Sequence, residues 1–281
     1  MSRDHHSILL LFRPKAWILT AILAGVLACE SEPEVINSVV LRGGAYVRID
    51  NRQVVGEALD SSSLAALNND VFSLEIWASG DTLPAAITEN PTLFMVSDNQ
   101  GNNEIGVYRP ARDSSRIFVF LGESYVGRYE IPGCDWFDPE VFTQVIFTYD
   151  GTTATLFGNG QQLGSRTMSI DVDIGISDAL VGADWDTPND VSTLGNFWYG
   201  AIDEVRLWTK VLPADEIEFR YEHPDKITKN YSPTGFDELL GLWRFNRRVS
   251  SGGEIPDGSG KGNDAIIQAG SGQLDFTSDG A

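Results

Sequence analysis

The sequence has few of the residues on which disulfide scaffolds and nucleic-acid binding depend. Its 281 residues include only two cysteines, and 20 basic residues stand against 40 acidic ones, for a net charge of -20. Two cysteines are too few for a disulfide-rich fold. A strongly negative chain also repels phosphate backbones, because nucleic-acid affinity depends on Lys and Arg releasing bound counterions. We therefore exclude nucleic acid as a partner.

Catalytic chemistry also lacks its usual residues. His223 is the one histidine beyond the first six residues, so His-based triads and multi-His metal sites are not expected. We interpret it as a surface or capping residue. Asp203 and Glu204 are adjacent on a predicted strand and would face opposite sides, which is wrong for two carboxylates acting on one bond. No catalytic residue is predicted, and Glu204 is expected to form a surface ion pair with Arg206.

Residues 1–28 have the pattern of a secretory signal. Arg13 and Lys15 precede an apolar run over residues 16–28. About thirteen helical residues extend roughly 20 Å, which is too short for a hydrocarbon core of ~30 Å. The segment is therefore predicted to be a signal peptide and not a membrane-spanning helix.

This signal ends in Val26-Leu27-Ala28-Cys29, which resembles the bacterial lipobox. The resemblance implies cleavage before Cys29 and acylation of its thiol, so that the membrane is contacted through the lipid anchor only. Glu30 is not the Asp that commonly retains such lipoproteins inside, so the outer membrane is the predicted location. Residues 29–37 form the predicted lipidated tether, and residues 38–281 form one domain. Cys134 is left as an unpaired thiol, which is either a buried small hydrophobe or an exposed, reactive group.

The rest of the chain has the pattern of an all-β domain. Short runs of β-branched, aromatic and aliphatic residues alternate with Gly, Asn, Asp and Ser clusters, as a sandwich or barrel requires. Phe72, Leu74 and Ile76 share one face of a predicted strand. Strands are predicted at 38–41, 45–49, 72–78, 92–97, 104–108, 116–121, 142–149, 154–157, 162–165, 179–181, 199–208, 240–245 and 265–268.

Two local signals add detail to this pattern. Asn159-Gly160 lies between two predicted strands and is a strong hairpin signal, because both central residues of the turn need positive φ. Pro213, with Asp215 and Glu216 behind it, predicts the first turn of one short helix on the edge of the sandwich.

The order of these segments resembles the LamG-like jelly rolls, which are related to pentraxins and concanavalin A-like lectins. The resemblance is carried by residues 72–77, 142–150, 156–160, 199–217, 242–246 and 257–264. It implies an antiparallel β-sandwich of the concanavalin A-like jelly-roll type with one short helix. It says little about function, because a fold hosts many functions.

Two loops of the sequence resemble the pair that jointly holds calcium in pentraxins. They are residues 101–105 and 182–186. The resemblance implies Asn102, Asn103, Asp184 and Asp186 as Ca²⁺ ligands, with Asn189 or Asp190 completing the shell. The alternative is that these residues only form turns. A second cluster, at 257–264, offers oxygen ligands in Asp257, Ser259, Asn263 and Asp264, although its glycines favour a simple tight loop.

The tryptophans divide by position. Trp77, Trp208 and Trp243 lie inside predicted strands, whereas Trp136, Trp185 and Trp198 lie near loops. Trp185 and Trp198 are the candidates for stacking on sugar rings, since an aromatic body with a polar N–H suits a partly wet site. The alternative for either one is packing at the edge of a loop.

From these observations we expect a membrane-anchored envelope lipoprotein that binds a carbohydrate or protein ligand at the cell surface, with Ca²⁺ as a cofactor. The first alternative is a structural or adhesive envelope protein without glycan binding, which should expose an apolar patch. The second, less favoured, is a polysaccharide-active hydrolase or lyase, which needs two carboxylates facing one cleft.

Overall fold

The fold was described from a computed structural model that covers residues 38–49, 52–55, 58–98, 100, 102–111, 116–122, 124–130, 141–175, 178–227 and 236–277. For residues 52–55, 58–62, 103, 104, 128 and 130, only the backbone is described. Cys29, Cys134 and Trp136 lie outside these ranges. No helix in the described ranges is long and apolar enough to cross a membrane.

Twenty strands and one α-helix are present in the described residues. The strands are β1 (Ser38–Arg42), β2 (Tyr46–Ile49), β3 (Arg52–Val55), β4 (Ala58–Ser62), β5 (Val71–Ala78), β6 (Thr92–Ser97), β7 (Asn103–Tyr108), β8 (Arg116–Leu121), β9 (Ser124–Glu130), β10 (Thr143–Asp150), β11 (Thr153–Gly158), β12 (Gln161–Thr167), β13 (Ala179–Val181), β14 (Asp184–Trp185), β15 (Leu194–Gly195), β16 (Gly200–Trp208), β17 (Leu239–Arg244), β18 (Glu254–Ile255), β19 (Ala265–Gln268) and β20 (Gln273–Thr277). The helix is α1 (Ala214–Glu222), and short 3-10 turns cover Ala65–Asn69 and Val191–Thr193.

Two antiparallel sheets form the predicted sandwich. Sheet A has the order β12-β11-β10-β5-β16-β1-β20, with β17 also pairing with β16. Sheet B has the order β18-β19-β2-β13-β6-β7-β8-β9. The many non-consecutive neighbours are typical of a jelly roll, in which the chain passes back and forth between two sheets. The all-β fold class and the jelly-roll resemblance are therefore confirmed.

The core lies between the two sheets and uses the alternating faces that the sequence predicts. Phe72, Leu74 and Ile76 of β5 pack in it with Phe147 and Tyr149 of β10. Pairing of β5 with β10 places Leu74 opposite Phe147 and Phe72 opposite Tyr149. The turn between β11 and β12 is also as predicted, since Asn159 and Gly160 have φ of 49° and 76°.

Helix α1 packs on the outer face of sheet A, and not on the edge of the sandwich as predicted. Tyr221 stacks on Trp77 of β5, with ring centroids 6.1 Å apart and planes 4° apart. Pro213 is the N-cap residue and precedes the first helical turn. His223 caps the other end, where its backbone N–H donates to the Phe219 carbonyl at 2.9 Å. The capping role predicted for His223 is confirmed.

A buried ion network holds α1 on this face. Glu75 of β5 accepts hydrogen bonds from Arg206 of β16 at 3.1 Å and from Arg220 of α1 at 3.2 Å, and all three side chains are at most 1% exposed. Burial alone would raise the pKa of Glu75, but Arg206 and Arg220 hold it below its ordinary value, helped by hydrogen bonds from Gln144 and Trp77. Paired charges of this kind keep one another ionised inside a protein.

The ion pair of Glu204 with Arg206 belongs to the same network. Arg206 Nε donates to Glu204 Oε2 at 2.6 Å, so the predicted pair exists. It is buried, however, and not on the surface, because the helix and the Pro224 and Lys226 carbonyls cover the Arg206 guanidinium. The outward face of β16 is therefore an interior surface.

Candidate functional site

A two-stranded ribbon, β14–β15, lies across the outer face of sheet B. It pairs Asp184 with Gly195 and Trp185 with Leu194. Gly182, at a φ of 81°, turns the chain out of β13 into this ribbon. An apolar cluster fixes the ribbon on the sheet, and its members are Tyr46, Met95, Leu180, Ala183, Trp185, Leu194 and Phe197.

A polar cleft of about 480 Å³ opens beside the ribbon. We call it the acidic cleft, because three carboxylates lie in its wall with hydroxyl and amide side chains. Its lining residues are Glu89, Asp184, Asp186, Ser192, Thr193, Leu194, Gly195 and Asn196. Asn196 adopts a φ of 50°, and its carbonyl accepts from the backbone N–H of Thr92 at 2.7 Å. Convergent polar groups of this kind are typical of a binding site.

Asp184 is the most unusual residue of the acidic cleft. Its side chain is buried, Tyr108 donates a hydrogen bond to Oδ2 at 3.3 Å, and Oδ1 has no hydrogen-bond partner. Burial raises the pKa of Asp184 to about 6, although the polar groups of Asn196, Trp185 and Tyr108 partly offset the effect; the nearby Asp186 raises it further. A buried carboxylate with an unsatisfied oxygen is costly unless something binds it.

The loop between the two strands of the ribbon is organised by Asp190 and Asn189. Asp190 caps the 3-10 turn, where Oδ1 accepts from the Ser192 backbone N–H at 2.9 Å and from its hydroxyl at 2.7 Å. These hydrogen bonds lower the pKa of Asp190. Asn189 Oδ1 accepts from the backbone N–H of Asp178 at 3.3 Å. Neither side chain lines the acidic cleft. The structure therefore does not bring Asn189 or Asp190 to the cleft in which Asp184 and Asp186 lie.

The other predicted calcium loop is also held by its own contacts. Asp98 accepts hydrogen bonds from the Asn102 backbone at 2.9 Å and from its side-chain amide at 2.7 Å. Asn102 therefore serves a turn, the alternative left open above, and it is not among the lining residues of the acidic cleft. The side chain of Asn103 is outside the described atoms. Of the predicted ligands, the structure brings together Asp184 and Asp186.

The acidic cleft offers a calcium ion oxygen atoms of several kinds. Within the part of the chain that the structure describes, no three His, Cys, Asp or Glu side chains form a group that could hold a metal. Ca²⁺ also takes amide, hydroxyl and carbonyl oxygens, so Ser192 and Asn196 can supplement the carboxylates of Asp184 and Asp186. The unsatisfied Oδ1 of Asp184 is the atom that fits a cation best.

Both tryptophans proposed for sugar stacking are buried, which differs from the prediction. Trp198 is 0% exposed in the main core, and its indole N–H donates to the Ser79 carbonyl at 3.3 Å. Trp185, in strand β14 of the ribbon, is 2% exposed and packs against sheet B. A ring without an exposed face cannot stack on a sugar. Trp185 packs the ribbon on sheet B, as the alternative expects, and Trp198 belongs to the main core. The sequence places Trp185 near a loop, but the ribbon packs on sheet B and buries the Trp185 ring.

The second candidate calcium loop is a self-contained turn. The Asp257 side chain accepts four hydrogen bonds, from the backbone of Leu242 and Asn263 and from the backbone and hydroxyl of Ser259. Asp264 Oδ1 accepts from the Asp257 backbone at 2.8 Å. Both oxygens of Asp257 are thus used inside the turn, in agreement with the tight loop that its glycines favour.

Two further clefts open on the described surface, and both have balanced charges. One, of about 540 Å³, lies beside β20 and contains the Arg248–Asp275 pair. The other, of about 410 Å³, contains the Arg42–Asp81 pair and Tyr199. In each of them the charged side chains neutralise one another, whereas the acidic cleft combines like charges with a raised pKa. Such perturbed groups mark functional sites more often than balanced pairs do.

Sequence reasoning missed several residues of the acidic cleft. Glu89 and Ser192 to Asn196 carry no spacing pattern that would assign them to one site. The available signal was the density of Asp, Asn, Ser and Thr between 184 and 196, which also fits an ordinary turn. Tyr108, which contacts Asp184, looks like any aromatic residue of a strand.

Comparison with known proteins agrees with this fold. Over 88% of its length the chain is similar to a protein of Bacteroides ovatus assigned as carbohydrate-binding, with a TM-score of 0.59 and 13% identity. The chain spans 61% of that protein. It is also similar to a heptameric SAP-like pentraxin of Limulus polyphemus, with a TM-score of 0.52 and 9% identity over 85% of this chain and 97% of the pentraxin. No match is found among curated proteins.

The sequence pattern of one family matches more than half of the chain. It covers residues 43–218, from the turn after β1 into helix α1. The match includes β5, β10, the β11–β12 hairpin and β16, which carry part of the resemblance to LamG-like domains, whereas residues 242–246 and 257–264 lie beyond it. The chain therefore belongs to the Laminin_G_3 family of the concanavalin A-like lectin/glucanases superfamily.

Proposed function

We propose that this protein is a lipid-anchored protein of the bacterial outer membrane whose domain binds carbohydrate in the acidic cleft, with Ca²⁺ as a cofactor and without catalysis. The observation that carries the proposal is the buried Asp184 carboxylate, whose Oδ1 lacks a partner while Oδ2 receives the Tyr108 hydroxyl. The carbohydrate-binding assignment of the Bacteroides ovatus protein supports the choice of ligand class.

The roles of the cleft residues follow from their chemistry. Ca²⁺, when bound, would supply an ion that the hydroxyl oxygens of a sugar can coordinate. Asp184 and Asp186 hold the ion, and Ser192, Thr193 and Asn196 donate to and accept from hydroxyl groups at the rim. A pre-formed cleft with few polar groups in fixed positions gives specificity at low entropic cost.

Replacing Cys29 with serine is expected to abolish lipid attachment. The wild-type protein, expressed in a bacterial host, should incorporate radiolabelled palmitate and sediment with outer membranes, because two or more acyl chains give stable anchoring. Cys29→Ser should incorporate no label and should leave the membrane fraction. Cys134→Ser is the matched control and should keep the label. Equal labelling of wild type and Cys29→Ser would contradict the anchor.

Calcium is expected to stabilise the protein against heat. At about 100 times the dissociation constant, a ligand adds about 2.7 kcal/mol to the free energy of unfolding, or roughly 5–10 °C in Tm for a domain of this size. Differential scanning fluorimetry with Ca²⁺ and then with chelator measures the shift. Asp186→Asn should lose it, whereas Asp190→Asn, outside the cleft, should retain it. No shift in the wild type would end the calcium proposal.

A second candidate function is hydrolysis of a polysaccharide. It is favoured by one observation, namely that Asp184, with a pKa of about 6, shares a cleft with Asp186, as an acid and a second carboxylate would. Binding is preferred because the Bacteroides ovatus protein of similar fold is assigned as carbohydrate-binding. Release of reducing ends from neutral polysaccharides by the wild type, lost in Asp184→Asn, would establish the enzyme instead.

A further inference from the structure

The outer face of sheet B carries four aromatic rings in mutual contact, next to the ribbon. Tyr108 of β7 stacks on Phe118 of β8, with ring centroids 5.2 Å apart and planes 16° apart. Phe120 meets both rings nearly edge-on, at 6.0 Å and 5.8 Å. The ring centroid of Tyr125, in β9, lies 5.5 Å from that of Phe120. We call these four residues the aromatic patch.

The patch faces outward because the alternate residues of the same strands fill the core. Ile117, Val119, Leu121 and Val126 pack between the sheets, so Phe118, Phe120 and Tyr125 must lie on the other side. Tyr125 is 43% exposed, and Phe118 and Phe120 are partly exposed. Exposed apolar surface that is contiguous, in contrast to single residues, usually marks a binding site.

Tyr108 joins the aromatic patch to the acidic cleft. Its ring stacks on Phe118, while its hydroxyl donates to Asp184 Oδ2. A β-carbon at position 106 would lie 2.5 Å from the Tyr108 ring, so Gly106 is what lets the ring lie flat on the sheet. Tyr108 is itself only 5% exposed, and its contacts place the patch and the cleft next to each other on sheet B, with aromatic rings on one side and oxygen atoms on the other.

We infer that this surface selects the ligand: the aromatic patch binds the apolar faces of neutral sugar rings in an oligosaccharide whose hydroxyl groups enter the acidic cleft. The inference rests on the proposed function and names its substrate class. Sugar rings have one face of C–H groups and a rim of hydroxyls, which matches a surface of aromatic rings beside carboxylates. When Ca²⁺ neutralises Asp184 and Asp186, the Glu89 carboxylate and the net charge of -20 still repel sialylated, sulfated or uronic sugars.

The size of the patch favours a sugar over a protein partner. A stable protein interface buries about 800 Å² on each partner. Here three partly exposed rings lie together, and the other exposed large apolar residues among those described are the separate Val141, Val191, Val211 and Tyr221. An area of this kind suits two or three sugar rings.

Glycan binding by aromatic-patch variants tests the inference. The full-length protein, purified in detergent, is applied to arrays of neutral gluco-, manno-, xylo- and chito-oligosaccharides of one to six units, together with sialyllactose, heparin fragments and oligogalacturonate. The wild type should bind a neutral series and bind trimers more tightly than monomers. Tyr125→Ala and Phe120→Ala should each weaken that binding about 5- to 10-fold. Tyr221→Ala removes an equally exposed tyrosine from the opposite face and should leave the affinity unchanged.

The possible results separate this inference from the proposed function. If Asp186→Asn loses binding while both aromatic-patch variants bind as the wild type does, the acidic cleft binds carbohydrate and the inference is wrong. Binding of anionic glycans alone also overturns the inference and leaves the proposed function standing. If the wild type binds no saccharide of either class, both are overturned.

Discussion

Asp184→Asn is expected to make the protein more stable at neutral pH while abolishing binding in the acidic cleft. Burial raises the pKa of Asp184 from its ordinary value of 3.8 to about 6, so the folded state holds the proton more tightly than the unfolded chain does. Above pH 6 the ionised carboxylate therefore costs up to about 3 kcal/mol of folding free energy. Asparagine removes that charge and can still accept the Tyr108 hydroxyl.

The pH dependence of this effect has a definite sign. Because the folded pKa is raised, the cost is fully present above about pH 6, shrinks between pH 6 and 3.8, and is absent below 3.8. Urea denaturation of wild type and Asp184→Asn should thus differ by about 1–3 kcal/mol at pH 7.5 and by little at pH 3.5. Asp186→Asn, which alters an exposed carboxylate, should stay within about 0.5 kcal/mol of wild type at both values.

The Asp184 carboxylate lowers the stability of the folded domain but is needed for binding. Binding residues are often kept at the expense of stability, because their charge is satisfied only when the ligand is present. If Asp184→Asn were less stable than wild type at pH 7.5, the carboxylate would be a structural group. The cation and sugar roles assigned to it would then lose their main support.

Glu75→Gln is expected to destabilise the domain by about 3–5 kcal/mol. The substitution leaves the guanidinium groups of Arg206 and Arg220 buried with their shared counter-charge removed, although Glu204 still pairs with Arg206. Breaking a buried pair costs far more than the pair itself contributes, because the remaining charge keeps its desolvation penalty. Chemical denaturation measures the loss, and helix α1 should be the first element to lose amide protection in hydrogen exchange.

The matched control is Asp275→Asn, the same kind of change in a surface pair. Asp275 Oδ1 lies 3.3 Å from Arg248 Nη1, and the two side chains are 69% and 71% exposed. Exposed pairs contribute roughly 0–1 kcal/mol, so this variant should remain close to wild type. Equal effects of the two substitutions would show that the Glu75 network is not what holds α1 on sheet A.

The sandwich was predictable where the alternation of apolar and polar residues is strong. β5 and β10 present Phe72, Leu74, Phe147 and Tyr149 at period two, and their pairing follows from that pattern. β9 was not predicted, because glycine and charged residues interrupt its sequence, and β20, with Gln273 and Asp275, reads as a polar segment. These strands are stabilised by neighbours that are distant in sequence, which no local pattern reports.

The site was only partly predictable, for a related physical reason. Asp184 and Asp186 were predicted from the resemblance of their loop to a calcium loop of pentraxins, and both line the acidic cleft. The burial of Trp185 and the contact of Tyr108 with Asp184 both depend on the ribbon folding back over sheet B. That fold-back is a tertiary contact between segments far apart in the chain, so neither feature has a signature in local sequence.

The most direct test of the central claim is a crystal structure of the protein with a neutral oligosaccharide chosen from the array. The account predicts sugar hydroxyls within hydrogen-bond distance of the acidic cleft, at Asp186 or Asn196, and a pyranose ring over Phe120 or Tyr125. An oligosaccharide bound instead in the cleft of Arg42, Asp81 and Tyr199, with the acidic cleft holding only water, would contradict it.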